Sequence, residues 1–213
     1  MDGVFLFNKP IHWTSHDAVD FARRKFGQKA VGHAGTLDPM ATGLLILLAG
    51  SATKRSAEFM GFDKEYEGTF SLGVRTDTQD LEGRIVDERD AAGVTRERVE
   101  QVFAEFIGPQ KQTPPQFSAV KLKGKKLYQD ARKGLVTAVE PRDVTVNAFE
   151  VTHFYQNEIA FRLSCSKGTY VRALCDAVGE RLGCGAVLSS LVRTRIGPYL
   201  LKNAGPHEDL SRV

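Results

Sequence analysis

Long hydrophobic runs are missing from this sequence of 213 residues. The longest unbroken apolar stretch, Leu44 to Ala49, falls far short of the ~20 residues that a membrane-spanning helix needs, so no such helix is expected. The first residues, Met-Asp-Gly before a short apolar run, lack the basic region and long apolar stretch of a secretory signal, and a cytoplasmic location is expected. Cysteine is scarce. Cys165, Cys175 and Cys184 are odd in number and contain no C-x-x-C pair, which argues against a disulfide framework and against a thiolate zinc site. The histidines lack the H-E-x-x-H spacing that sets two imidazoles on one helical face, so no metal is expected. Internal repeats, low-complexity tracts and flexible linkers are also missing, and the chain reads as one folding unit.

Charge of one sign is not in large excess either, since the formal net charge is +3. Its distribution is more informative than its sum. Between Lys121 and Lys133 the cations Lys121, Lys123, Lys125, Lys126, Arg132 and Lys133 face the single acid Asp130, whereas Asp77 to Glu105 is rich in carboxylates. Such a basic stretch suits a phosphate backbone, although a lone charge run is more often a solvated surface.

The apolar spacing predicts an irregular succession of strands and helices. Gly3 to Asn8 reads as a buried strand closed by Lys9-Pro10. A helix follows, with Thr14 and Asp17 as a capping box, Ala18, Val19, Ala22 and Phe26 on one face, and Gly27 as its stop. Val31 to Ala41 reads as a loop leading into a strand at Leu44 to Leu48. Tyr66 opens an alternating strand that ends at Leu72. Thr95 to Ile107 is amphipathic, with Gly108-Pro109 as its end, and a short helix is expected near Leu127 to Lys133. Val144 to Tyr155 and Ile159 to Ser164 form a hairpin. A helix capped by Thr169 then turns Val171, Leu174, Cys175, Val178 and Leu182 inward, and Gly183 ends it. Because the βαβ regularity of a doubly wound sheet is lacking, the fold class is α+β, with a mixed, mostly antiparallel sheet flanked by helices.

One stretch stands out: Gly32-His33-Ala34-Gly35-Thr36-Leu37-Asp38-Pro39. Its glycines allow close backbone approaches, and Pro39 biases Asp38 toward an extended conformation, so the carboxylate sits on a stiff turn. By itself this is also the pattern of an ordinary turn whose aspartate bonds to nearby N–H groups. A phosphate-binding loop is disfavoured, since no G-K-[ST] follows.

Several separated segments, in order, resemble the TruB-type tRNA pseudouridine synthases. They are Asn8-Lys9-Pro10 with Trp13-Thr14-Ser15, then GHAGTLDP with Ala41, Gly43, Gly50 and Thr53-Lys54. Next come Lys64, Tyr66, Leu72-Gly73, Thr76-Asp77-Thr78, Asp80 and Gly83. Pro114-Pro115, Ser118-Ala119 and Lys121 follow, and Ser166-Lys167-Gly168-Thr169-Tyr170-Val171-Arg172-Ala173-Leu174 closes the series. The resemblance spans about the whole chain. It implies the pseudouridine synthase fold and isomerisation of uridine at position 55, in the T-loop of tRNA, with no cofactor. The partner implied is the T-arm of tRNA; no membrane and no obligate protein partner are implied, and a monomer is expected. Members commonly carry a C-terminal RNA-binding domain of the PUA type. This sequence stops soon after Ile196-Gly197-Pro198, so residues 1–213 are expected to be a catalytic domain without it.

Carried over residue by residue, the resemblance makes Asp38 the catalytic carboxylate and Arg172 its partner. Tyr66 lies against the target base, Tyr170 helps hold base and carboxylate, and Leu191 is an apolar wall. His33 helps displace the nucleotide from its stack, and Lys9 meets phosphate. These roles suit the chemistry: a base must leave its stack before its glycosidic bond can be reached, and cleavage of C1′–N1 builds positive charge that a carboxylate stabilises or captures. An RNA-binding or RNA-folding protein on the same scaffold is the rival reading. A carboxylate-pair glycoside hydrolase is a third, weakened because no second acid is identifiable: Asp77 and Asp80 sit in a polar loop beside basic residues.

Overall fold

The protein is described from a computed structural model, which covers residues 1–118, 120–122, 125–131, 133–206 and 209–213. Along the chain run β1 (Gly3–Lys9), α1 (Ser15–Phe26), β2 (Val31–His33), β3 (Thr42–Ala49), α2 (Ser56–Met60), β4 (Lys64–Leu72), β5 (Val74–Thr76) and β6 (Ile85–Glu88). They are followed by α3 (Arg96–Glu105), β7 (Gly108–Gln112), β8 (Lys121–Leu122), β9 (Lys125–Lys126), α4 (Leu127–Ala131), β10 (Arg142–Tyr155) and β11 (Glu158–Cys165). The last elements are α5 (Val171–Leu182), β12 (Ala186–Ile196), β13 (Tyr199–Leu200) and β14 (Ser211–Arg212). Most strand pairs are antiparallel and β3 pairs with β12 in parallel, which is the expected mixed α+β sheet. The chain divides into two compact units, one of Met1–Glu67 with Ser190–Val213 and one of Gly68–Ser189.

The first unit is organised around β3. Its apolar run is buried on both faces: Leu44, Ile46 and Leu48 join Val4, Leu6, Phe59 and Ile196, while Leu45, Leu47 and Ala49 join Phe5, Phe7 and the inner face of α1. One edge of β3 takes β1 along its length, from Gly3 opposite Ala49 to Lys9 opposite Gly43. The other edge is shared. Near the end of β3, β2 pairs Val31 with Ala49 and His33 with Leu47; near its start, β12 pairs Val192 with Thr42 and Arg193 with Gly43. The segment expected to be loop from Val31 onward therefore begins as a strand, because β3 offers an unpaired edge to residues whose sequence shows no strand period. The loop proper is 34–41, between β2 and β3.

Helix α1 is built as its sequence requires. Thr14 Oγ1 accepts from the Asp17 N–H at 3.1 Å, Thr14 N–H donates to Asp17 Oδ2 at 2.7 Å, and Gly27 closes the helix in the left-handed region at φ 62°. Ala18, Val19 and Ala22 are buried against β1 and β3.

In the second unit β11 lies between β4 and β10, with β7 beyond β10. Phe70, Phe103, Phe149 and Phe161 form its aromatic centre, where Phe103 of α3 stacks on Phe149 of β10 at 3.6 Å between ring centroids. Gly108-Pro109, expected only to end a helix, open β7, with Pro109 opposite Thr145 on a strand at the end of the pairing order, where a missing N–H is tolerated. The short helix expected to reach Lys133 ends at Ala131. Helix α5 is not capped by Thr169, whose hydroxyl donates to the Ser166 carbonyl; Tyr170 is the N-cap residue, and Gly183 ends the helix at φ 86°.

The capping box yields a test. The hydroxyl and backbone N–H of Thr14 hold the Asp17 carboxyl below its ordinary value, so this contribution is complete above pH 3.8 and is lost as pH falls through the lowered folded-state value. Thr14→Ala should cost ~1 kcal/mol in urea denaturation at neutral pH. The gap between variant and parent should narrow below pH 3.8.

Candidate active site

Asp38 stands half-buried in loop 34–41, and the backbone around it is held almost carbonyl by carbonyl. Ala34 N–H donates to Ile46 O at 2.9 Å where β2 ends. Arg193 of β12 donates to Gly35 O at 3.1 Å and Thr36 O at 3.3 Å. Ser15, at the start of α1, satisfies both polar groups of Leu37: its oxygen accepts from Leu37 N–H at 2.8 Å, and its hydroxyl reaches Leu37 O at 3.1 Å. Beyond Asp38, Pro39 O accepts from His12 N–H at 2.8 Å and from Lys9 Nζ at 3.4 Å. Ala41 N–H closes a turn onto Asp38 O at 3.1 Å. The bulk of the loop is anchored, and the Asp38 carboxylate projects from a backbone with little freedom to move.

Lys9 corrects an expectation. The resemblance gives it to phosphate, whereas it is fully buried at the end of β1 and its ammonium donates to Trp13 O at 2.6 Å, Pro10 O at 2.9 Å and Pro39 O. A group enclosed in this way braces the loop. Tyr66 is 7% exposed on β4, on the same face as Lys64, whose ammonium caps the carbonyls of Met60 and Phe62 at the end of α2. Lys64 thereby pins the start of the strand that carries Tyr66. Leu191 is buried on β12, and His33 is half-buried on β2 opposite Leu47.

The second unit brings Tyr170 and Arg172 together at the start of α5. Tyr170 is gripped through its backbone by Gln112 of β7, whose amide oxygen accepts from Tyr170 N–H at 2.8 Å and whose amide donates to Tyr170 O at 3.0 Å. Gln112 thus holds the residue from which the helix starts. Arg172 is only 4% exposed. Its guanidinium donates to Thr78 O at 2.6 Å and Phe117 O at 2.9 Å, and lies 3.4 Å from the buried Asp80 carboxylate. Asp80 in turn accepts from Thr78 Oγ1 at 2.5 Å and from Glu82 N–H at 3.1 Å. The 76–84 turn is tied to α5 again by Arg75, bidentate to Asp176 at 2.8 and 3.2 Å, and by Gln79 to the same carboxylate at 3.0 Å. That bonded carboxylate holds the Arg75 guanidinium firmly protonated.

Arg193, Gln112, Ser15 and Asp80 were missed as parts of the site. Arg193 left one signal, its place two residues after Leu191 on the inward face of an alternating strand. The basic stretch is not tested by this geometry: Lys123 and Arg132, with the side chains of Lys121, Lys125 and Lys126, lie outside the described residues. Among the described residues no group of three or more His, Cys, Asp or Glu could hold a metal ion, and no helix is long and apolar enough to cross a membrane.

The architecture is that of the pseudouridine synthases. A chain of an H/ACA RNP solved with a substrate RNA containing 2′-deoxyuridine matches with a TM-score of 0.72 and 26% identity, over 97% of this chain and 51% of that one. This chain thus spans about half of the solved one. Residues 23–171 match the family described as TruB family pseudouridylate synthase (N terminal domain), and the chain belongs to that family. A protein of Opitutus terrae named tRNA pseudouridine synthase B is 48% identical, over 96% of this chain and 85% of its own length. One of the same name from Burkholderia mallei is 46% identical, over 96% and 67%.

The Asp80–Arg172 pair can be tested on its own. Asp80→Asn keeps the shape but removes a carboxylate from a buried guanidinium, which should cost about 3 kcal/mol. Urea denaturation of parent and variant measures it.

Proposed function

We propose that this chain isomerises uridine to pseudouridine in tRNA, at position 55 of the T-loop, with Asp38 as its catalytic carboxylate. The observation that carries the reading is the anchored loop, which immobilises the backbone on both sides of Asp38 while leaving that residue half-exposed. The names of its relatives support tRNA as the substrate.

The target nucleotide leaves its stack with the help of His33, and the freed base gains contact with Tyr66 and the wall formed by Leu191. Tyr170 helps to hold the base, and Arg172 is the cation that orients the Asp38 carboxylate. The C1′–N1 bond then breaks and positive charge grows on the sugar. Asp38 meets that charge, either by bonding to C1′ or by taking a proton from the sugar. Uracil turns and C5 bonds to C1′ as the Asp38–C1′ bond breaks or as Asp38 returns the proton to the sugar; the C5 proton then leaves to Tyr66 or water, and N1 takes up a proton. The product is an isomer of the substrate, so nothing need be oxidised, reduced or consumed. A single copy acts, in the cytoplasm, and recognition centres on the T-arm.

Release of tritium from tRNA labelled at uridine C5 is the test. The parent protein should release it, and an isolated T-arm hairpin should serve nearly as well as whole tRNA. Asp38→Asn should bind tRNA with parental affinity and release none. Arg172→Lys, which lacks the planar fork, should lose most of the rate. Substantial release by the Asp38 variant would overturn the mechanism, and binding without release by the parent would favour the RNA-folding reading.

A further inference from the structure

We infer that Arg193 is a positioning residue for the Asp38 loop, the clamp that ties the loop's entry to its exit and to the wall formed by Leu191. The inference rests on the proposed role of Asp38. It starts from a buried cation that no ion pair among the described residues explains.

Arg193 is 2% exposed, and no carboxylate is paired with it among the described residues. Burial of a charge without a counter-ion is unfavourable, and an apolar residue would pack at such a position more cheaply unless the charged group did something that packing could not. The hydrogen bonds say what that is. One nitrogen donates to Gly35 O at 3.1 Å and another to Thr36 O at 3.3 Å, both ahead of Asp38, while Nε donates to Leu44 O at 2.8 Å, behind it. One planar group therefore bridges the two ends of the segment that carries the carboxylate.

The bridge is locked in register. Arg193 pairs with Gly43 across the parallel β3–β12 contact, and Gly43 has φ 100°, a region that favours glycine. A Cβ on Gly43 would stand 2.5 Å from the Arg193 carbonyl oxygen and 2.8 Å from its nitrogen. The β12 backbone is thus pressed onto the exit of the loop as its side chain grips the entry. Leu191 lies two residues earlier on β12 and is also buried, so Leu191 and Arg193 share a face of one strand. A shift of that strand moves wall and loop together. An ammonium offers no fork of fixed geometry and cannot span the three carbonyls in the same way.

The full chain is the material for the test, with Arg193→Lys as the first variant. Its single-turnover tritium release should fall ~10- to 100-fold while its Kd for tRNA stays within about threefold, because misplacement by an ångström costs rate rather than binding. The acid limb of its pH–rate profile should stay where it is in the parent, since Arg193 acts through backbone carbonyls. Amide exchange over residues 35–38 should be faster. A parental rate in a folded lysine variant overturns the inference, and so does an acid limb that moves with the rate, which would make Arg193 a direct electrostatic partner of the carboxylate. If the lysine variant does not fold, Arg193→Gln removes the buried charge and keeps a donor. Slow release at parental Kd then supports the clamp, and a parental rate overturns it. If the parent itself releases no tritium, the isomerase reading fails, and the exchange of residues 35–38 alone decides whether Arg193 holds the loop.

Discussion

Backbone carbonyls that no strand can reach are the constraint around which the first unit is built. A loop that presents one carboxylate cannot also pair as a strand, yet a buried carbonyl without a donor is costly. The unit answers with side chains brought from other elements: Lys9 from the end of β1, Ser15 from the start of α1 and Arg193 from β12. The sharing of one β3 edge between β2 and β12 follows from the same need. The loop leaves the edge where β2 stops, and β12 takes up pairing where the loop returns. Leu44 and Ile46, two residues apart on β3, aim their carbonyls into the space between, where Arg193 and Ala34 meet them.

The second unit adds a charge partner to bonding of the same kind. Arg172 has both carbonyl acceptors and the Asp80 carboxylate, and the turn bearing Asp80 is bound to α5 through Asp176. The start of α5 is thereby fixed from two sides, by Gln112 at Tyr170 and by the 76–84 turn at Arg172. The odd charge pattern of the sequence acquires a reason here. Some of the carboxylates that crowd the segment from Asp77 to Glu105 are internal partners: Asp80 pairs with Arg172, and Asp87 with Arg89.

Local features were legible because their cause is local. The capping box at Thr14 and Asp17, the left-handed glycines at 27 and 183, and the hairpin about Gln156-Asn157 depend on neighbours within a few residues. What failed depended on distant chain. Val31–His33 shows no strand period and became a strand because β3 was there to receive it. Thr169 is a good capping residue by composition, but its hydroxyl goes to Ser166 O, and Gln112, 58 residues from Tyr170, holds the backbone where the helix starts. The members of the site came from resemblance across separated motifs, and that source names residues without stating their surroundings. Hence the resemblance gives Lys9 to phosphate while its ammonium is taken up by backbone carbonyls, and Arg193 gives only its period.

The parallel partner of β3 is also a matter of timing. About 150 residues of chain separate Thr42 from Val192, so β1 and β3 can pair early in synthesis while β12 does not yet exist. At ~5–20 residues per second the ribosome needs roughly 8–30 s to supply it. Throughout that interval the part of the β3 edge that β2 leaves uncovered stays open, beside the uncharged and proline-free run Leu44 to Ala49. The first unit, made of Met1–Glu67 with Ser190–Val213, is thus completed only after the second has been synthesised, and its most adhesive strand is the one that waits.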